Sequence, residues 1–133
     1  MADILVVDDE ESIRFSFHRF LAAVGHRVVV AGSYAKAMAR MDGGEFDLIF
    51  ADIVLEDGCG INILREAKRR CGKTVVVIMT AYPSKENQDL SHLLNAVAFV
   101  VKPLGQAQLL AMVTECLMRQ LPGEFQNERW RGR

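Results

Sequence analysis

The chain predicts one α/β domain built on a parallel sheet, and three observations carry that reading. Short runs of β-branched and other apolar residues alternate with segments whose apolar residues recur every three or four positions. The short runs are apolar without interruption, as expected of strands covered on both faces. The connections are short, so each crossover returns the chain right-handedly beside the strand it left. A length of 133 residues suits a single core.

Ile4-Leu5-Val6-Val7, closed by Asp8-Asp9, is the first strand. From Glu10 the period lengthens: Ile13, Phe17, Phe20, Leu21 and Val24 draw one stripe down a helix that Gly25 ends. Arg27 to Ala31 is the second strand, and Ser33 caps a second helix with Tyr34, Ala37, Met38 and Met41 inward, stopped by Gly43-Gly44. The third strand runs from Asp47 to Asp52. A turn through Glu56-Asp57-Gly58-Cys59-Gly60 leads to a third helix, with Ile61, Leu64, Ala67 and Cys71 toward the core and Gly72 at its end. Thr74 to Met79 is the fourth strand, delivering Thr80, and Pro83-Ser84 opens a helix with Leu90, Leu93, Leu94 and Val97 on one face. Ala98 to Val101 is the fifth strand, ending in Lys102-Pro103. Leu109, Met112, Val113, Cys116 and Leu117 stripe the last helix, which Pro122-Gly123 breaks. The domain therefore spans 1–121, and the polar stretch 122–133, with Arg129, Trp130, Arg131 and Arg133, reads as a tail or the start of a linker.

Composition removes several classes of function. A net charge of -1 gives no global attraction to nucleic acid or membrane, so direct nucleic-acid binding by the domain is not expected. The first apolar run is too short for a signal peptide, and no run approaches a membrane span of roughly 18 residues. Cys59, Cys71 and Cys116 are odd in number and lie outside metal-ligand spacing with histidine, which fits free thiols in the cytoplasm. The histidines at 18, 26 and 92 read as solvated, and the six methionines as core filler. Gly72-Lys73-Thr74 imitates the end of a phosphate-binding loop, but the required first glycine falls at Ala67 and a strand follows instead of a helix.

The chemistry sits at the strand ends. Parallel strands point their C-termini the same way, so Asp8, Asp9, Asp52, Thr80 and Lys102 converge on one edge of the sheet. Three carboxylates gathered there repel unless cations compensate. Lys102 is one cation, and a hard divalent ion, Mg²⁺ for a site handling phosphate, is the natural second. In that setting Asp52 is a nucleophile able to form an aspartyl phosphate, already ionised at neutral pH and needing no general base. Lys102 and the Thr80 hydroxyl then serve the phosphoryl oxygens.

Taken singly these residues have ordinary roles: Asp8-Asp9 as helix caps, Asp52 as a turn former. Taken jointly they resemble the receiver domains of bacterial two-component response regulators, over Asp3 to about Leu121. Ile4 to Glu10 looks like that family's acidic pair, Asp52 stands at its phosphoacceptor position, Thr80-Ala81 at its hydroxyl followed by a small residue, and Lys102-Pro103 at its lysine and cis-proline. The resemblance implies a doubly wound, flavodoxin-like sheet of strand order 2-1-3-4-5 with five helices. It implies Mg²⁺ held by Asp9, Asp52 and the backbone carbonyl of Val54, with Asp8 acting mainly through water. It implies a switch in which Thr80 moves toward the phosphoryl group and Phe99 rotates inward, altering the surface of the fourth helix, fifth strand and fifth helix, where a homodimer would form. The implied partners are a sensor histidine kinase or phosphotransfer protein and an output, either an effector domain or a separate protein. The domain would be a phosphoacceptor that assists its own phosphorylation and slow dephosphorylation, not an enzyme acting on a separate substrate.

Glu56 stands where the family often has proline, and Ala98 where an acid often precedes the aromatic. Val54 and Tyr82 occupy positions that in the family influence how fast the phosphoryl group is lost. A phosphatase of the haloacid-dehalogenase kind would need a second acid two residues after the nucleophile, and Val54 stands there. A receiver-like module that only binds a partner would have no physical need for the clustered acids and lysine.

Overall fold

Strands with no polar break belong where neither face meets water, and the sheet places them so. In the computed structural model, which describes residues 1–119, β1 (Asp3–Val7), β3 (Leu48–Asp52) and β6 (Val75–Thr80) fill the centre. The edges are β2 (Arg27–Ala31) and β7 (Ala98–Val101), giving the order β2-β1-β3-β6-β7 with every pair parallel. Without the short hairpin strands β4 (Val54–Leu55) and β5 (Gly58–Cys59), this is the 2-1-3-4-5 order that the resemblance implied. The register pairs Val7 with both Ala31 and Ala51, Asp52 with Met79, and Thr80 with Val101, so the strands finish side by side.

Alternation along each strand divides the core in two. Ile4, Val6, Phe50, Val77 and Met79 face α1 (Glu11–Ala23) and α5 (Gln106–Arg119), where Phe17, Leu21, Leu109, Met112 and Cys116 complete one cluster. The Phe17 and Phe50 rings meet edge to face, 5.4 Å between centroids. Leu5, Val7, Ile49, Val76 and Ile78 face the other way, toward Ala37 and Met41 of α2 (Tyr34–Asp42) and Ile61, Leu64 and Ala67 of α3 (Gly60–Arg70). Ser33 caps α2 by accepting the Lys36 N–H, and Ser84 caps α4 (Lys85–Leu93) by accepting that of Asn87, both at 3.1 Å.

Several boundaries differ from the sequence reading, each for a local reason. Val24 leaves the α1 stripe because it is the C-cap, and Gly25 turns the chain at φ 96°. Cys71 is likewise the C-cap of α3 and only half-buried, and Ile63 joins Ile61, Leu64 and Ala67 in the core. The α4 stripe is rotated: Leu93 is exposed, Leu90 and Leu94 pack on the core, and the buried position between them is Ser91. The Ser91 hydroxyl is satisfied by the Asn87 carbonyl at 2.8 Å. Asn95 at φ 70° then ends the helix, and Val97 joins the sheet edge by donating its N–H to the Val76 carbonyl. His26 is not merely solvated, since its Nδ1 accepts the Ala2 N–H at 3.1 Å. The turn after Asp52 is the β4-β5 hairpin. The break at Pro122-Gly123, the division at 121/122 and the basic tail lie outside the described residues.

Candidate functional site at the C-terminal edge of the sheet

Asp8 leaves β1 fully buried, and Asp9 beside it is exposed. Asp52 closes β3 with little exposure, and Thr80 closes β6 with none. Lys102 follows β7 and is joined to Pro103 by a cis peptide bond. The five residues, separated by up to 94 positions, thus share one edge.

At the centre is the Lys102 ammonium. Its Nζ lies 2.7 Å from Asp8 Oδ2, 3.0 Å from Asp52 Oδ2 and 3.2 Å from Glu10 Oε1. Burial opposes the Lys102 charge, yet the Asp8 and Asp52 carboxylates beside it outweigh burial and hold the ammonium well above its ordinary range. Burial pushes the Asp8 carboxyl up, against the opposing pull of Lys102 and the Glu10 N–H. One lysine therefore does not compensate the Asp8 charge completely.

The remaining oxygens are oriented by backbone. Asp8 Oδ1 accepts the Glu10 N–H at 2.9 Å, and Asp52 Oδ1 accepts the Val54 N–H at 3.2 Å. Thr80 Oγ1 accepts the Tyr82 N–H at 3.0 Å, and the Thr80 carbonyl accepts the Lys102 N–H at 2.8 Å. Asp8 Oδ2 is buried and meets Lys102 as a charge contact without a well-directed hydrogen bond. Asp8, Asp9 and Asp52 each offer a carboxylate oxygen within 4.8 Å of the others. Hard oxygen donors of excess negative charge, one of them lacking a directed donor, fit a hard divalent cation such as Mg²⁺.

Three supporting features were not read from the sequence. Gly60 passes so near the Asp52 carbonyl that any Cβ there would collide with it, and its N–H donates to the Ile53 carbonyl at 2.9 Å. Asp57 accepts the Tyr34 and Ala35 N–H groups at 2.7 and 3.0 Å, fastening the hairpin to the start of α2. Arg14 donates through Nη1 to the Asp8 carbonyl at 2.7 Å and lies over Gly32, where a Cβ would approach Nη1 to 2.9 Å. The acids and the glycines were visible in the string, but what each touches once the chain has turned was not. Phe99 is buried in the core cluster that α2 and α3 complete.

A family model described as the response regulator receiver domain matches residues 4–114. The chain belongs to that family. This receiver is 33% identical over 115 residues to the transcriptional regulatory protein ZraR of Klebsiella oxytoca, covering 86% of the chain and 26% of ZraR. It is 33% identical over 117 residues to the DNA-binding transcriptional activator DevR/DosR of Mycobacterium tuberculosis, covering 86% of the chain and 54% of that activator. The receiver thus spans between a quarter and about half of these regulators. Among solved structures, a CheY-like receiver domain protein from Methanospirillum hungatei superposes with a TM-score of 0.87 at 30% identity, covering 90% of this chain and 96% of that one. The beryllofluoride-activated NtrC4 receiver domain dimer gives a TM-score of 0.80 at 27% identity, covering 86% and 95%. Among the described residues, no helix is long and apolar enough to cross a membrane.

Proposed function

We propose that this receiver accepts a phosphoryl group on Asp52 from a histidine kinase or phosphotransfer protein. The observation that carries the reading is the Lys102 ammonium seated between the Asp8 and Asp52 carboxylates at 2.7 and 3.0 Å. An Asp52 carboxylate oxygen forms the new bond to phosphorus while the bond from phosphorus to the donor nitrogen or oxygen breaks, the electron pair leaving with the donor. Lys102 already rests on Asp52 and is the cation available to a phosphoryl oxygen carried there. The Thr80 hydroxyl, held by the Tyr82 N–H, is the second group available to that oxygen. Mg²⁺, when bound by Asp9, Asp52 and the Val54 carbonyl with Asp8 acting through water, supplies charge neutralisation at the transferring group.

The product is a modified receiver rather than a released compound, and slow hydrolysis at the same site resets it. The signal would leave through α4, β7 and α5, with Thr80 and Phe99 as its first movers, to an attached effector domain or a separate output protein. Homodimerisation through that face is one such output. The transcriptional regulators named above and the NtrC4 receiver dimer support this direction. A cytoplasmic site of action follows from the kinase partnership. The test is incubation with acetyl phosphate and Mg²⁺. One acyl phosphate, labile to strong acid, alkali and hydroxylamine, is expected, lost in Asp52→Asn and on chelation. No incorporation, or incorporation unchanged by that substitution, overturns the proposal.

A further inference from the structure

Glu10 occupies the N-cap of α1, yet its side chain makes no capping hydrogen bond. A residue there ordinarily accepts one of the first free N–H groups of the helix. Its backbone instead does the local work, donating to Asp8 Oδ1 at 2.9 Å and receiving the Ile13 and Arg14 N–H groups on its carbonyl at 3.2 Å each. That leaves the carboxylate to cross to Lys102, 92 positions away, at 3.2 Å. The Glu10 side chain is 60% exposed and that of Lys102 only 10%, so Glu10 is the solvent-facing partner of a nearly buried ammonium.

Asp8 and Asp52 already give Lys102 two negative partners, so Glu10 adds charge that Lys102 alone does not neutralise. The excess acts on whatever approaches. Free phosphodonors are anions and are repelled in proportion to their charge. A donor carried on a protein offsets the repulsion with its own docking contacts.

We infer that Glu10 is a specificity-determining residue that disfavours small, highly charged phosphodonors and so favours phosphoryl groups presented on a protein. This rests on the phosphoacceptor reading of Asp52. Acetyl phosphate, a dianion near neutral pH, and phosphoramidate, a monoanion, separate charge from chemistry when each is supplied at saturating Mg²⁺. Glu10→Gln should accelerate labelling by acetyl phosphate about fivefold and by phosphoramidate about twofold at low ionic strength. The difference should shrink as salt is raised. Glu10→Asp, which keeps the charge, should retain the wild-type ratio between the donors. Equal acceleration by both donors, no acceleration, or a ratio indifferent to salt would overturn the inference. Failure of the wild type to take phosphate from either donor would instead overturn the phosphoacceptor reading, and this inference with it.

Discussion

At the edge where the strands begin, polar groups are settled in separate, complementary contacts. Thr74 donates its hydroxyl to the Phe46 carbonyl at 2.8 Å, Lys68 donates to the Thr74 carbonyl at 2.8 Å, and Asp47 accepts the Asp3 N–H at 2.8 Å. Asp3 in turn pairs with Arg27 at 2.9 Å. At the edge where the strands end, Asp8, Glu10 and Asp52 all converge on Lys102, while Asp9 stands exposed beside them. The two edges use the same kinds of residue. One distributes them so that each acid has its own donor and the chain is fastened; the other pools acids around a shared cation, leaving charge that only a further ligand would settle.

The largest effect should come from removing the shared cation. Lys102→Met leaves Asp8 and Asp52 buried without their ion pair, and chemical denaturation of the metal-free protein at neutral pH should show a loss of about 3 kcal/mol, with phosphoryl acceptance abolished. Stability equal to the wild type would mean that the two acids do not depend on Lys102. Next comes Gly60→Ala, which forces a methyl group against the Asp52 carbonyl. A loss of about 2 kcal/mol is expected, together with weaker Mg²⁺ binding, because the displaced backbone carries Asp52. Unchanged Mg²⁺ affinity would separate Gly60 from the site.

Thr74→Val tests the opposite edge. It removes one buried hydrogen bond, at a cost of about 1 kcal/mol, and should leave Mg²⁺ affinity as it was. A change in affinity would show that the edges are not independent. The smallest effect is one of pH. Burial raises the Asp8 carboxyl in the folded protein, so folding favours its protonated form. That contribution is fully present below the ordinary value of 3.8 and is lost as pH rises through the raised native value. Asp8→Asn, which cannot ionise, should therefore melt higher than the wild type at neutral pH without metal, the advantage fading toward acid, while its Mg²⁺ affinity falls. A lower melting temperature at neutral pH would contradict that sign.

The strands were legible because burial on both faces leaves an uninterrupted apolar run, as in Ile4 to Val7 and Val75 to Met79. Reactive residues closing such runs are equally visible, so Asp8, Asp52, Thr80 and Lys102 could be named without coordinates. The rest depends on contacts between distant parts of the chain. Glu10 reaches Lys102 and Asp57 fastens α2, neither of which has a periodic signature. Leu93 misled because a leucine near the end of a short helix satisfies the apolar spacing, whereas the sheet selected Ser91, whose hydroxyl bonds within its own helix.

The central claim is that one carboxylate among the pooled acids is the nucleophile. Borohydride reduction of the protein after exposure to acetyl phosphate and Mg²⁺ converts an aspartyl phosphate to homoserine, which peptide mass spectrometry locates. The account predicts homoserine at position 52 alone. Homoserine at position 8 or 9, or none at any position, would contradict it.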